Sequence, residues 1–401
     1  MIKKILILLL FSVQCFGAAR YWVGGGSSSN FNATAPTNWS ATSGGVGNAS
    51  VPGASDGVTF DGAGTGNTAA VVSATITVLS FTVTSGYTNT ITHNAVLTVA
   101  GNVTLNTSYT IAGSSGMTIS ATSTITSGGK TWPNAMTWSG LNTKTLSGNF
   151  TISGLLTVSS LTTINQTGTD TLILAGGLTN SSGGIDGTAR IKLTGGTWTG
   201  ASNTPISNNL DFVGNITLGT NVAFGGVSCT LTYISGIITT TSSTLTLAGI
   251  STLNTNGITF NNITVGASIF CTINSLLTAT GNFTINAAVS PQFAGAYGFN
   301  VANLIINNVN AQTVTLNDAA SYVITTSLQG YKSRNAASLL ITSDHATNKV
   351  ALTLNQGASC NLLANLTRID ASGGRTIRTF NGTVTSCTNV QEFHDLQTIG
   401  F

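Results

Sequence analysis

Charge is what this sequence has least of. Only 6% of its 401 residues are charged, a single glutamate (Glu392) occurs, and the formal net charge is +3. So small a balance supplies no basic field for a nucleic acid. Proline is nearly as scarce, at 5 residues, and aromatic residues make up 7%. Helical periodicity is missing throughout, and no stretch beyond the first twenty residues is apolar and long enough for a transmembrane helix. The five cysteines, Cys15, Cys229, Cys271, Cys360 and Cys387, show no CxxC spacing, which argues against a thiolate metal site. The last four are too few to make a disulfide scaffold of a chain this size. Disorder is also excluded, because 41% of the chain is hydrophobic. What remains abundant is Thr, Ser, Asn and Gly, residues of pleated strands and tight turns.

The first residues, MIKKILILLLFSVQCFGAA, place Lys3 and Lys4 ahead of an apolar run and end it on Gly17 and Ala19. This is the pattern of a secretory signal with cleavage expected after Ala19, residues 1–19 being the leader. The run is too short to span a bilayer, and Ser12-Val13-Gln14 before Cys15 fits lipoprotein processing badly. The expected location is therefore secreted, extracellular or on the cell surface, with no membrane span in the mature chain.

One word keeps returning: GNVTL at 101–105, GNFTI at 148–152, GNITL at 214–218 and GNFTI at 281–285. Related words (SFTV at 80–83, STIT at 123–126, TLIL at 171–174, RIKL at 190–193, ANLIIN at 302–307) fill the intervals at a mean step near 22 residues. A period of that size signals stacked repeats. Each unit is a short alternating strand that cannot bury its apolar side chains alone; laid on its predecessor, it shares one continuous core. Asparagine at the corner tolerates left-handed backbone and can stack into a ladder of amides. The expectation is an all-β chain, a single-chain parallel β-helix or β-solenoid of ten to eleven rungs over residues 63–317. At ~4.8 Å per rung that is a rod roughly 50 Å long. An outer-membrane barrel, which the terminal Phe401 would suit, needs strands of about ten residues and aromatic girdles.

The two ends differ from this middle. Residues 318–401 hold eleven of the charged residues and lose the rhythm, which marks a β-rich C-terminal cap or assembly segment. Within it, TRIDASGGRTIRTF at 367–380 reads as a hairpin in which Asp370 meets Arg375. Residues 20–62 form an N-terminal cap segment with Tyr21 to Gly25, Trp39-Ser40, Gly44-Gly45, Val51-Pro52 and Val58 to Asp61 in order. This YWVGG…WS…VP…VTFD segment resembles one that follows the signal peptide in bacterial secreted and cell-surface repeat proteins, an adhesin-like parallel β-solenoid family, and in some phage-associated proteins. The resemblance covers about a tenth of the chain. It implies an extracellular repeat protein and carries over no catalytic residue. Trp22 and Trp39 read as a lid on the first rung, with glycan stacking as the competing role.

Solenoids also include polysaccharide lyases and hydrolases, whose chemistry needs clustered carboxylates and cations. The best cluster is Asp186, Arg190, Lys192 and Asp211, with Asp186 and Asp211 expected on adjacent rungs. Ser343-Asp344-His345 cannot form a triad, since strand neighbours point to opposite faces, and His394-Asp395 fails likewise. DGAGTGN at 61–67 lacks the lysine and helix of a phosphate loop. Arg368, Arg375 and Arg378, with the two tryptophans, are the expected glycan or assembly contacts. Cys360 and Cys387 are expected to form a disulfide, with Cys229 and Cys271, two turns apart, free and buried. No catalytic residue, metal or cofactor is assigned. The expected function is structural or adhesive, through self-assembly end to end or laterally, or through extracellular glycans. A polysaccharide-binding or polysaccharide-degrading β-helix of tail-spike type is the alternative.

Overall fold

The computed structural model describes residues 17–26, 28–33, 37–201, 203–266, 269–286, 289–307, 311–331, 339–380 and 383–393. Nearly all of the signal segment, with His394 and Phe401, lies outside them. The described residues hold no helix; they form a parallel β-solenoid of about fifteen turns, divided into two compact units at Ser115.

In the first unit, Ala19–Trp22 pairs in parallel with Gly57–Phe60, which pairs in turn with Ser80–Val83 and then Val103–Thr104. A second ladder joins Ala70–Val72, Thr90–His93 and Thr110–Gly113, and a third joins Ile76–Val78 to Leu97–Val99. Each coil therefore carries three short strands, and alternation along each turns one residue in and the next out. The outermost strand, Trp39–Ser40, is different: it runs antiparallel to Ala19–Trp22, with Trp22 opposite Trp39. Both indoles are wholly buried against Phe31 and Phe60, at centroid separations of 4.5 to 6.5 Å. The Trp39 Nε1–H donates to the Phe31 carbonyl at 2.7 Å, and the Trp22 Nε1–H to the Thr68 carbonyl at 3.1 Å. These rings close the end of the core, as the lid reading expects, and offer no face to a glycan.

The second unit begins at Gly116 and repeats the three-strand coil. One ladder runs Met117–Ile119, Met136–Trp138, Leu156–Val158, Gly177–Asn180, Thr197–Thr199, Ile216–Leu218 and Ile238–Thr239. Its outward column is a line of threonines in register, Thr118, Thr137, Thr157, Thr179 and Thr199. The second ladder starts at Ser123–Thr126 and the third at Thr131–Trp132. Most inward positions are Leu, Ile, Val and Phe, among them Leu146, Ile164, Leu172 and Ile191, all fully buried. Each such side chain contributes roughly 1.5–3 kcal/mol.

The recurring word explains itself at this point. Within the second unit its copies occupy three different ladders: Phe150–Ile152 in the third, Ile216–Leu218 in the first, and the end of Leu277–Ile285 in the second. It encodes a corner followed by a strand, usable on any face. Its asparagine bridges coils more than it stacks: Asn149 Oδ1 accepts the Thr171 N–H at 2.9 Å, and Asn215 Oδ1 the Ile237 N–H at 3.0 Å. Amides stack as expected between Asn282 and Asn303, where Asn303 Nδ2 donates to Asn282 Oδ1 at 3.1 Å, and the Ser327 hydroxyl extends this pair by donating to Asn303 Oδ1 at 2.7 Å. Markers drawn from different faces undercount the turns, which is one reason for fifteen rather than ten or eleven. The other is that coils continue through both end segments.

Past residue 317 the parallel pairing persists, with Ser321–Ile324 on Ala351–Leu354, Ser327–Gly330 on Ser359–Leu362, and Ile377–Phe380 on Val390–Phe393. The expected hairpin at 367–380 does not form. Ile369–Asp370 pairs with Val350–Ala351 and Ile377–Phe380 with a later strand, each in parallel. Asp370 accepts the Ser372 N–H at 3.0 Å, while the Arg375 guanidinium donates to the Ala358 carbonyl. Stacking on the preceding coil outcompetes the local turn because it fills the ladder's hydrogen bonds.

The expected Cys360–Cys387 disulfide is likewise absent: both are free thiols, Cys360 on the strand Ser359–Leu362 and Cys387 in the connection between Val384–Thr385 and Val390–Phe393. The Cys360 S–H donates to the Arg378 carbonyl and the Cys387 S–H to the Leu366 carbonyl, at 3.3 and 3.4 Å. Cys229 and Cys271 follow expectation, buried and free, with Ser251 in register between them.

Candidate functional site

Of the four residues expected to cluster, the fold assembles three. Arg190–Leu193 and Leu210–Phe212 are neighbours in the third ladder, with Lys192 opposite Asp211. The Arg190 Nη1 lies 2.9 Å from Asp211 Oδ2. The Asp211 side chain is 0% exposed and that of Arg190 48%, so the pair reaches from a covered carboxylate to solvent. Among the described residues Asp211 Oδ1 has no hydrogen-bond partner. Asp186 lies on the second ladder instead, opposite Thr163, because one coil onward from Ile185 is Ile206 rather than Leu210. One carboxylate held by an arginine, with its would-be partner on another face, is an ion pair and not the two-carboxylate arrangement of glycoside hydrolysis. Replacing Arg190 with Gln leaves Asp211 covered without its counter-ion. The expected loss is about 1–2 kcal/mol, reduced from the usual value for a charged hydrogen bond by Arg190's solvent exposure. Adding Asp211→Asn restores most of it, which thermal melts of the single and double variants would show.

The remaining candidates are engaged separately. His345 Nδ1 accepts from the Thr347 and Asn348 backbone N–H groups, both at 3.3 Å. The Asp344 oxygens accept from Asn317 Nδ2 and the Asp318 N–H, both at 2.9 Å. Neither group is aimed at Ser343, in line with the sequence reading. Asp61 accepts the Ala63 N–H at 3.1 Å, and Asn67 pairs with Thr88. The Arg368 Nη2 donates to Thr342 Oγ1 and the Ser343 carbonyl at 3.0 and 3.1 Å, so with Arg375 it ties coils together. Arg378 is exposed. Among the described residues no three His, Cys, Asp or Glu side chains gather as a metal site would require.

The most distinctive surface lies where the first ladder stops. Among the described residues no strand pairs with the outer edge of Ile238–Thr239. The next strand in that chain position, Thr259–Phe260, pairs only forward, with Thr278–Ala279. Asn256 (φ 43°) and Gly257 (φ 92°) turn the chain through left-handed backbone just before it. The break leaves a cleft of about 260 Å³ lined by Tyr233, Gly236, Ile238, Asn256, Gly257, Ile258 and Thr259. Beside it Ile234 and Ile237 are 53% and 69% exposed. From Phe212 to Asn317 no Asp, Glu, Lys, Arg or His occurs, so this whole region is free of formal charge. Sequence reasoning missed the site. Its one visible signal is the Asn256-Gly257 dipeptide, a turn former that interrupts the strand rhythm. Compared with known proteins, the chain matches no family model, no curated protein and no solved structure.

Proposed function

We propose that this chain is an exported structural or adhesive protein that acts through its outer faces and carries out no chemistry. The observation that supports this most is the sparsely charged exterior: the outward column of the first ladder is threonine, Thr137, Thr157 and Thr179 among them, and 106 consecutive residues, Phe212 to Asn317, carry no formal charge. Such a surface suits glycans or neighbouring chains, and supplies neither an acid–base pair nor a counter-ion for a charged substrate. A polysaccharide-binding role is the second reading, favoured by the cleft at Ile238.

Between lateral binding and end-to-end polymerisation, the lid supports the first. Trp39–Ser40 covers the first coil with a two-residue antiparallel strand, a poor template for a further parallel coil. Electron microscopy of the protein beginning at Arg20, purified without denaturant, tests this. Discrete particles are expected; long unbranched filaments would overturn the lateral reading in favour of polymerisation.

A further inference from the structure

We infer that the cleft beside Ile238 is a subsite for one pyranose ring of a neutral glycan. The inference rests on the adhesive reading and gives it a ligand class and a place. Four observations converge. First, the cleft holds no charged group and none occurs anywhere in the surrounding sequence, so an ionic ligand would find no partner. Second, its chemistry is that of a sugar contact: the Tyr233 ring supplies an aromatic wall, its Oη donating to the Gly236 carbonyl at 2.8 Å and keeping its lone pairs for a ligand hydroxyl. Asn256 adds an exposed amide with no side-chain partner among the described residues, and Thr259 an exposed hydroxyl. Third, Ile216 N–H bonds the Ile237 carbonyl at 2.9 Å, and ladder alternation then turns Ile238's own N–H and C=O toward the side no strand covers. Fourth, a Cβ at Gly257 would meet nothing within 4 Å, so the rim there is open.

Size and closure choose the ring over a peptide. At about 260 Å³ the cleft is below the ~300–1,000 Å³ of a drug-sized pocket. A peptide strand needs a continuous edge, whereas here Thr240 Oγ1 reaches the Thr259 carbonyl at 2.8 Å and bridges the coils beside the cleft.

Saturation-transfer NMR with the methyl glycosides of glucose, galactose, mannose and N-acetylglucosamine at millimolar concentration is the test. At least one should receive saturation from the intact protein. Tyr233→Ala, by removing the stacking face, should weaken that glycoside about tenfold. Asn256→Gly, which keeps the left-handed turn comfortable and removes the amide, should weaken it severalfold even if the tyrosine variant folds poorly. Binding unchanged in both variants overturns the site and leaves the adhesive reading standing, with the sugar bound elsewhere. No transfer to any of the four glycosides overturns the subsite together with the glycan branch of that reading.

Discussion

Replacing Trp39 with Ala is expected to destabilise the first coils by about 3–5 kcal/mol, the range for removing a fully buried large aromatic side chain. Three effects add. The cavity sits among Trp22, Phe31 and Phe60, whose rings pack on the indole at 4.5 to 5.7 Å. The Phe31 carbonyl loses its 2.7 Å donor. The strand Trp39–Ser40 also loses the side chain that anchors it over the edge of Ala19–Trp22. Stability in stacked coils is a sum of nearest-neighbour terms, so the loss should stay local. Hydrogen exchange read by mass spectrometry would therefore show protection at Gly57–Phe60 and Ser80–Val83 falling about 10²–10⁴-fold, at 1.4 kcal/mol per factor of ten. The coils of the second unit should keep theirs. A uniform loss along the chain would contradict the lid's local role.

Replacing Lys144 with Met should do the reverse and stabilise the protein. Lys144 occupies an inward position of Asn142–Ser147, between Ser123 and Ile164 on the adjoining coils, and is 0% exposed. Its ammonium donates to the Ala121 carbonyl, and burial lowers its pKa from 10.5 to about 8. At neutral pH the folded protein thus holds a cation among apolar side chains. Between pH 8 and 10.5 the unfolded chain keeps this proton and the folded chain does not, so stability rises with pH across that window. The whole shift corresponds to about 3 kcal/mol. Burial raises the pKa of Cys271 to about 12 and raises those of Tyr87, Tyr109 and Tyr322, so these groups lower stability at high pH. They are common to both proteins and cancel in the difference. Urea unfolding from pH 7 to 10.5 should show Lys144→Met more stable by up to about 3 kcal/mol at pH 7, the gap closing as pH rises. A gap independent of pH would mean that packing, not charge, sets the effect.

The fold was legible because its signal is local and repeated. A strand of the form Phe-Thr-Ile after Gly-Asn announces an inward, outward, inward alternation wherever it stands, and the near-22 step implies a coil. The face on which each copy sits was not legible, since nothing in GNFTI distinguishes 148–152 from 281–285, though they belong to different ladders. Asp186 and Asp211 fail for that reason: 25 residues is a coil and a corner, and the corner moves Asp211 to another ladder. The hairpin at 367–380 fails because Ser372-Gly373-Gly374 carries turn propensity, while ladder pairing with earlier and later coils is a distant effect that propensity does not report. The cleft escaped notice because a missing strand pairing has no sequence word of its own.

Neighbouring copies of the word in the second unit lie on different ladders, and this bears on how such a gene changes length. Recombination between the copies at 148–152 and 214–218 would excise 66 residues, three coils and a fraction. The joined chain would enter its next coil on the wrong face and direct a strand into a corner. Recombination between words that share a ladder, as in Thr171–Leu174 and Arg190–Leu193, removes one whole coil and restores the phase. The heredity of this protein should therefore proceed in whole coils, the short word being protected from slippage by its own portability.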